Sequence, residues 1–564
     1  MEVKDLYTEW SSNEYFDQDV REELKALEGN DAEIRERFYR NLAFGTAGIR
    51  GILGAGTNRM NKYVIRRASY GIAQMLKEKG EEACKRGIVI AYDSRLCSDV
   101  FAKEAASVYA GNGIKVYLHK SICPVPILSF SVRYLKTISG AMVTASHNPK
   151  EYNGYKVYGE DGCQLPTPET EKIIELLGQY DDYTKVPSYD FDALVSEGKI
   201  EYVGDEIYRA YYESAKSYLA DPETLKETAG KINLVYTPLH GTGARFVPEL
   251  LKQIGFTNVY TVEEQMQPDG HFPTVNVPNP EFLDVYDLAI KIANKNNADV
   301  ILASDPDADR TGVAVKDKDG NFKVLTGNQI GILLLNYILK GKKNAGTLKD
   351  TDFVVSTIVS SRLTAEMCKA YNVGYADVLT GFKYIGEQIT NREENGNEKF
   401  ILGFEESYGY LIGSFARDKD SVSACMLLAE EAAYYNSKGM TLLDALNEIF
   451  DEFGYWLESQ NSFTFPGEAG SKKISDMMSD FREKKADVLP GEIIKFTDYN
   501  DGPEVTGVPK SNVLYYEVKD GWFCVRPSGT EPKIKLYCGA KGKCINCATK
   551  RLDEIRSKAL ELMK

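Results

Sequence analysis

Apolar runs rich in Val, Ile and Ala recur along the chain, with helix-period segments between them. Gly87-Ile88-Val89-Ile90-Ala91-Tyr92, Lys231-Ile232-Asn233-Leu234-Val235-Tyr236 and Ala298-Asp299-Val300-Ile301-Leu302-Ala303 read as buried strands. Asp352–Thr357 and Lys399–Gly403 continue the series, and Gln329–Leu339 and Ser421–Tyr435 carry helical spacing. This alternation predicts α/β units with largely parallel sheets. Successive blocks repeat the scheme and end their strands in Gly-, Ser- or Asp-rich loops, without the short fixed period of a solenoid. The last block differs. Gly521–Val525 and Lys533–Cys538 are short strands around a tight loop, followed by one helix over Cys547–Met563. The expected fold is α/β: three similar mixed α/β domains plus a smaller α+β C-terminal domain. Polar or turn-rich joints at Asp181–Gly204, Lys316–Thr326 and Asp451–Glu458 divide it into domains 1–205, 206–325, 326–452 and 453–564.

Composition narrows the class. A chain of 564 residues is too long for one hydrophobic core, and 43% hydrophobic with 27% charged residues describes ordinary packed domains. The net charge of −15 argues against nucleic acid or an anionic membrane as partner. It also means that an anionic substrate would require locally concentrated basic residues. No apolar run approaches the roughly 18 residues of a membrane span, and Met1-Glu2-Val3-Lys4-Asp5 opens no signal peptide. A cytoplasmic protein is expected, as a monomer or a dimer. Ten cysteines are too sparse for a disulfide scaffold, and the C-x-x-C at Cys544–Cys547 lacks a second pair for zinc. Reduced thiols are the expectation. Neither a Walker A pattern nor a complete G-x-G-x-x-G occurs.

Four loops carry chemistry. Thr144-Ala145-Ser146-His147-Asn148-Pro149-Lys150, continuing through Asn153-Gly154-Tyr155-Lys156, follows the apolar run ending at Val143. Open α/β sheets bind ligands at such strand ends, and Ser146 beside His147 and Lys156 reads as a nucleophile in a basic pocket. The bland alternative is a capped Asn-Pro turn. Ser304-Asp305-Pro306-Asp307-Ala308-Asp309-Arg310 spaces carboxylates along one side of an extended backbone. Crowded hard oxygens need a cation, and Mg²⁺ fits best because it leaves open positions for phosphate. An EF-hand fails here: Arg310 stands where Gly is needed and Lys316 where Glu is needed. Gly403-Phe404-Glu405-Glu406-Ser407-Tyr408-Gly409 offers carboxylates to sugar hydroxyls or, equally, to a helix start. Arg526-Pro527-Ser528-Gly529-Thr530-Glu531-Pro532-Lys533 combines a backbone nest with an arginine, a phosphate-binding pattern. Smaller clusters point the same way, though each is ordinary in isolation: Gly45–Gly51, Thr380-Gly381-Phe382-Lys383 and Arg417-Asp418-Lys419-Asp420; His240-Gly241-Thr242-Gly243 could bind an anion at a helix start, and close strand–helix packing explains it equally well.

In order, the Gly-Thr-x-Gly-Ile-Arg-Gly, Thr-Ala-Ser-His-Asn-Pro, Asp-x-Asp-x-Asp-Arg, Gly-Phe-Glu-Glu-Ser and Arg-Pro-Ser-Gly-Thr-Glu-Pro loops resemble the active-site loops of the α-D-phosphohexomutase family. They span Gly45 to Lys533, nearly the whole chain. The resemblance implies four domains around a central cleft, with a mobile fourth. It implies that Ser146 is phosphorylated, and that Asp305, Asp307 and Asp309 bind Mg²⁺ with a phosphoserine oxygen. Arg310 would meet the active-site phosphate. Arg50, His147, Lys156 and Lys383 would line the reaction centre, with His147 and Lys156 as acid and base. Thr380, Gly381, Glu405 and Ser407 would bind the sugar, and Arg526, Ser528, Gly529 and Thr530 would clamp the other phosphate. The implied reaction interconverts glucose 1-phosphate and glucose 6-phosphate through glucose 1,6-bisphosphate. Tyr408-Gly409-Tyr410 resembles the subgroup that includes pentose mutases, so ribose or deoxyribose 1-phosphate is the alternative; mannose 1-phosphate is a weaker one. A haloacid-dehalogenase-type phosphatase would need Thr or Val at Asp309, and a non-catalytic sensor would not keep Ser146 and the Asp triad intact.

Overall fold

The computed structural model describes residues 2–45, 48–465, 467–483, 489, 492–528 and 533–563. Two compact units form: Met1–Val324 with Gly409–Ala433, and Leu325–Tyr408 with Tyr434–Lys564.

The first unit begins with three short helices, Val3–Ser12, Gln18–Lys25 and Asp31–Phe38. They bury Trp10, Phe16 and Phe38 in a core shared with Tyr63. Its first sheet contains β1 (Ile49–Ile52), β2 (Ile88–Tyr92), β3 (Val116–His119), β4 (Ser139–Val143), β5 (Tyr152–Tyr158) and β6 (Ile200–Val203), in the order β1-β5-β4-β2-β3-β6. β2, β3, β4 and β6 are parallel, while β5 runs antiparallel to β4 and to β1. Ile88–Ala91 is buried throughout, as expected of a parallel strand covered by helices on both faces. The helix Lys62–Lys77 starts at Asn61, whose side chain accepts hydrogen bonds from the Tyr63 and Val64 N–H groups.

The second sheet contains β7 (Leu234–Thr237), β8 (Val259–Thr261), β9 (Val300–Ser304), β10 (Thr311–Lys316) and β11 (Phe322–Val324), ordered β11-β10-β9-β7-β8. Here β8, β7 and β9 are parallel and β10 and β11 antiparallel. In the second unit, β12 (Asp352–Thr357), β13 (Gly374–Val378) and β14 (Lys399–Glu405) are parallel, with β12 central. The chain returns to the first unit at β15 (Gly409–Ile412) and the segment leading to a helix that starts at Ser421. The last domain is an antiparallel sheet of β16 (Tyr455–Thr464), β17 (Ile493–Asp498), β18 (Leu514–Val518), β19 (Gly521–Pro527) and β20 (Lys533–Gly542). The helix Ile545–Glu561 covers it through Leu552, Ile555 and Ala559. Ile358, Val359 and Leu379 of the third domain share one apolar cluster with Val513, Tyr515 and Trp522 of the fourth.

The sheets are more mixed than expected. Antiparallel edges arise where Asn-Pro and Asp-rich loops fold the chain straight back, since a loop this short cannot make a parallel crossover. The predicted strand Lys231–Tyr236 starts only at Leu234, because a 3₁₀ turn takes Ala229–Lys231. The helix Gly467–Glu483 and the strand β16 were not expected. Cys544 and Cys547 form a disulfide across the first turn of the last helix, correcting the expectation of reduced thiols there. The other eight cysteines are free. Among the described residues, no helix is long and apolar enough to cross a membrane.

Candidate active site

In the first unit, the serine and aspartate loops leave the ends of β4 and β9 and meet. Ser146 sits at φ 51°, a left-handed conformation unusual for a residue with a side chain. Its Oγ donates to Asp305 Oδ2 at 2.7 Å and lies 3.1 Å from His147 Nδ1. The Ser146 N–H donates to Thr144 Oγ1 at 2.8 Å, and that oxygen is 3.0 Å from Asp307 Oδ2. Asp305 Oδ1 accepts the N–H groups of Asp309 and Arg310, each at 3.0 Å, which fixes the turn of the loop.

One oxygen from each of Asp305, Asp307 and Asp309 lies within 4.8 Å of the others. All three residues are buried, and Asp307 Oδ1 and Asp309 Oδ1 accept no hydrogen bond. Buried anionic oxygens without partners are costly, so the donor set fits a hard divalent cation. Lys156, arriving on β5, places Nζ 3.0 Å from Asp307 Oδ2 and 3.1 Å from Asp309 Oδ2. Burial, reinforced by Asp307 and Asp309, pushes Asp305 well above the ordinary carboxylate range. Burial also opposes ionisation of Asp309, but Lys156, Lys419 and Arg310 outweigh it and hold that carboxyl low. Burial works against the Lys156 ammonium as well, and Asp307 and Asp309 more than compensate. Burial, together with the Arg310 and Arg50 charges, drives the His147 pKa well below its usual value.

Arg50 lies on β1, paired with Gly154 across to β5, and donates to Asn148 Oδ1 at 2.8 Å. Arg310 pairs with Glu281 at 2.8 Å. The structure therefore brings Arg50, Ser146, His147, Lys156, Asp305, Asp307, Asp309 and Arg310 to one centre.

Lys419, noted in the sequence only as part of a small cluster with no assigned role, also joins this centre. Its Nζ is 3.3 Å from Asp309 Oδ2 and 3.1 Å from Asp418 Oδ1, and Asp418 also accepts from Tyr158 at 2.9 Å. The charged run Arg417-Asp418-Lys419-Asp420 before an apolar helix marks a cluster, but its spacing does not say that Lys419 meets Asp309. His240-Gly241-Thr242-Gly243 proves to be a packing element. The Thr242 N–H donates to the Pro306 carbonyl at 2.8 Å, and a side chain at Gly241 would meet the Pro306 carbonyl oxygen at 2.7 Å.

In the second unit, β14 delivers Glu405, whose carboxylate accepts the Gly381 N–H at 2.6 Å. Thr380 and Lys383 flank that turn; Thr380 Oγ1 is buried without a partner, and burial lowers the Lys383 pKa. Ser407 follows, half-buried. Glu406, the second carboxylate of this loop, accepts from Thr357 Oγ1 at 3.2 Å. Burial and Glu405 raise its pKa to about 7 against the pull of Lys535 and Arg526. Arg526 pairs in register with Lys535 across β19 and β20. The Ser528 N–H donates to the Lys533 carbonyl at 2.7 Å. Gly529 and Thr530 lie outside the described residues, as do Thr46 and Ala47.

Four domain profiles of one family match the chain. They are phosphoglucomutase/phosphomannomutase alpha/beta/alpha domain I over 41–184, domain II over 209–320, domain III over 326–453, and the C-terminal domain over 484–544. A phosphoglucomutase of Staphylococcus saprophyticus is 35% identical over 533 residues, covering 93% of this chain and 95% of that one. A phosphoglucomutase of Staphylococcus aureus is 38% identical over 528 residues, covering 91% and 92%. Among solved structures, the open form of parafusin, a phosphoglucomutase from Paramecium, superposes with a TM-score of 0.71 at 19% identity, covering 93% and 95%. A phosphoglucomutase/phosphomannomutase family protein of Burkholderia thailandensis gives 0.66 at 17% identity, covering 92% and 97%. At such identities these two structures speak for the fold alone.

Proposed function

The chain belongs to the phosphoglucomutase/phosphomannomutase family, and from that premise we propose that it interconverts α-D-glucose 1-phosphate and glucose 6-phosphate through a phosphorylated Ser146. The observation that carries this reading is Ser146 Oγ held 2.7 Å from Asp305 at the rim of the carboxylate cluster. The substrate preference is supported by the staphylococcal relatives.

The resting enzyme carries phosphoserine at 146. A bond forms between its phosphorus and the 6-hydroxyl oxygen of glucose 1-phosphate as the Oγ–P bond breaks. The hydroxyl proton leaves O6, and Ser146 recovers a proton on Oγ. The product is glucose 1,6-bisphosphate. After it turns over, Ser146 Oγ bonds to the 1-phosphoryl phosphorus as the O1–P bond breaks; Oγ loses its proton, O1 gains one, and glucose 6-phosphate departs. His147 Nδ1, 3.1 Å from Oγ, is placed to exchange a proton with it. Lys156 and Arg310 bring positive charge to the phosphoryl group, with Arg50 fastening the loop through Asn148. Mg²⁺ held by Asp305, Asp307 and Asp309 would offset charge on the transferring group. Glu405 and Ser407, with Thr380, Gly381 and Lys383, recognise the sugar. Arg526 and Ser528, continued by Gly529 and Thr530, bind the phosphate that is not reacting. Positive residues collected in these loops let an acidic protein take a dianionic substrate. We infer domain limits at 205/206, 325/326 and 452/453. A charged sugar phosphate does not cross bilayers unaided, which supports action in the cytoplasm.

The test is turnover of glucose 1-phosphate, ribose 1-phosphate and mannose 1-phosphate side by side, with Mg²⁺ and a trace of the matching bisphosphate. A lead for glucose 1-phosphate that EDTA abolishes is expected. A lead for ribose 1-phosphate would keep the phosphoserine chemistry and replace the substrate. Silence on all three would overturn the proposal.

A further inference from the structure

The serine loop is held from behind by a side chain that no motif above includes. β2 and β4 are parallel neighbours, with Tyr92 opposite Val143. Their following loops, Asp93-Ser94-Arg95 and Thr144-Ala145-Ser146, therefore leave the sheet side by side. The Arg95 side chain is wholly buried. Its Nε and Nη2 donate to the Ser146 carbonyl at 3.2 and 2.6 Å. Nη2 also donates to the Asn148 carbonyl, and Nη1 donates to the Pro149 and Tyr152 carbonyls, both at 2.9 Å. The guanidinium lies over the Phe272 ring, 5.0 Å from its centroid.

Asp93 completes the arrangement. It accepts from Ser98 Oγ at 2.7 Å, from the Arg95 N–H at 2.9 Å and from Thr144 Oγ1 at 2.6 Å. Thr144 Oγ1 in turn takes the Ser146 N–H. The carbonyl of Ser146 is thus held by Arg95, and its N–H is held by Thr144, which Asp93 orients.

Why such a clamp is needed follows from the backbone. Ser146 lies at φ 51°. A non-glycine residue there costs roughly 1–3 kcal/mol and persists only where its surroundings over-determine it. A planar fork with five donors can turn several carbonyls toward one point; an ammonium cannot reproduce that geometry.

We propose that Arg95, oriented with Asp93, is a positioning residue for phosphoryl transfer: it holds Ser146 in the left-handed conformation that aims Oγ at the carboxylate cluster, without touching substrate. This rests on Ser146 being the phosphoryl carrier. In-line transfer tolerates misplacement poorly, and a shift of about 1 Å costs on the order of 100-fold.

The experiment compares wild type, Arg95→Lys and Asp93→Asn with Mg²⁺ and glucose 1-phosphate. It reads kcat, KM, the thermal transition and amide hydrogen exchange of the 144–152 segment. Arg95→Lys is expected to lose roughly 100-fold in kcat with KM within about threefold. Exchange across 144–152 should accelerate while the thermal transition stays sharp. Asp93→Asn is expected to show the same pattern at about tenfold. A merely structural role would lower the transition and leave kcat per folded molecule unchanged. The inference is overturned if Arg95→Lys keeps kcat within fivefold of wild type, or if the loss falls on KM. Should Arg95→Lys not fold, Asp93→Asn decides: a kcat-only loss supports the inference, and an unchanged kcat overturns it. Wild type inactive on every sugar phosphate would refute the parent reading instead. Hydrogen exchange would then still decide the clamp, since faster exchange confined to 144–152 supports it and unchanged exchange refutes it.

Discussion

Lys156→Met tests how the carboxylate cluster is balanced. Lys156 is 5% exposed and Asp307 is fully buried. Methionine follows the lysine stem as far as Cε and removes the ammonium group with its charge. Asp307 then loses its cation, the Thr144 hydroxyl being engaged more closely by Asp93, and Asp309 is left with Lys419 at 3.3 Å. Removing one partner of a buried ion pair costs about 3–5 kcal/mol, because the other charge stays buried. A divalent cation on the same oxygens supplies the missing charge, so the cost must shrink when metal is present. With Trp456 and Trp522 replaced by Phe, Trp10 reports the first unit alone, being buried among Phe16, Phe38 and Tyr63. Its fluorescence is followed in urea, with EDTA or with saturating Mg²⁺. For m-values near 2–3 kcal/mol/M, the midpoint in EDTA should fall by about 1–2 M. Mg²⁺ should restore at least half of that and bind the variant more tightly than wild type; each tenfold gain in affinity contributes about 1.4 kcal/mol at fixed, saturating metal. A midpoint equal to wild type in EDTA would refute the reasoning. So would a loss that Mg²⁺ leaves untouched.

Other consequences are as direct. Ser146→Ala should reduce turnover to below roughly a thousandth of wild type while glucose 1-phosphate still binds by calorimetry; an active variant would exclude phosphoserine chemistry. Gly327→Ala should raise KM for the sugar phosphate about tenfold or more, because the new Cβ would overlap the Glu406 backbone carbonyl and displace that loop; Mg²⁺ affinity should stay unchanged. Burial raises the Glu458 pKa from 4.5 to about 7, with Ser361 and Asn328 opposing. A raised carboxyl pKa means the folded state holds the extra proton, so its stabilising contribution is complete below about pH 4.5 and fades as pH rises through 7. Glu458→Gln should therefore melt higher relative to wild type at pH 8 than at pH 5, and an equal difference at both would contradict the assignment.

Much of this was readable in the chain because strands and loops are local statements. A run such as Val300–Ala303 can only be buried, and the Asp-rich turn directly after it places carboxylates at a strand end whatever the rest of the fold does. Ser146, the three aspartates, Lys156 and Arg526 were legible for the same reason, since each sits in a contiguous motif. The contacts of Lys419 and Arg95 were not. Lys419 reaches Asp309 because the chain returns to the first unit after β14, a pairing between segments more than a hundred residues apart that no spacing encodes. Arg95 matters because β2 and β4 are neighbours in the sheet, and strand order is a tertiary fact. Local sequence was enough for the strand–helix alternation of the first three domains, the chemistry of the loops and the family, but not for the helix Gly467–Glu483 or β16. The tertiary structure decided which charges share a buried volume, and hence which carboxyl is driven up and which is held down. That division is physical: hydrophobic periodicity and motif chemistry act within a few residues, whereas burial, Coulomb interaction and the satisfaction of polar groups depend on what the fold brings within a few ångströms.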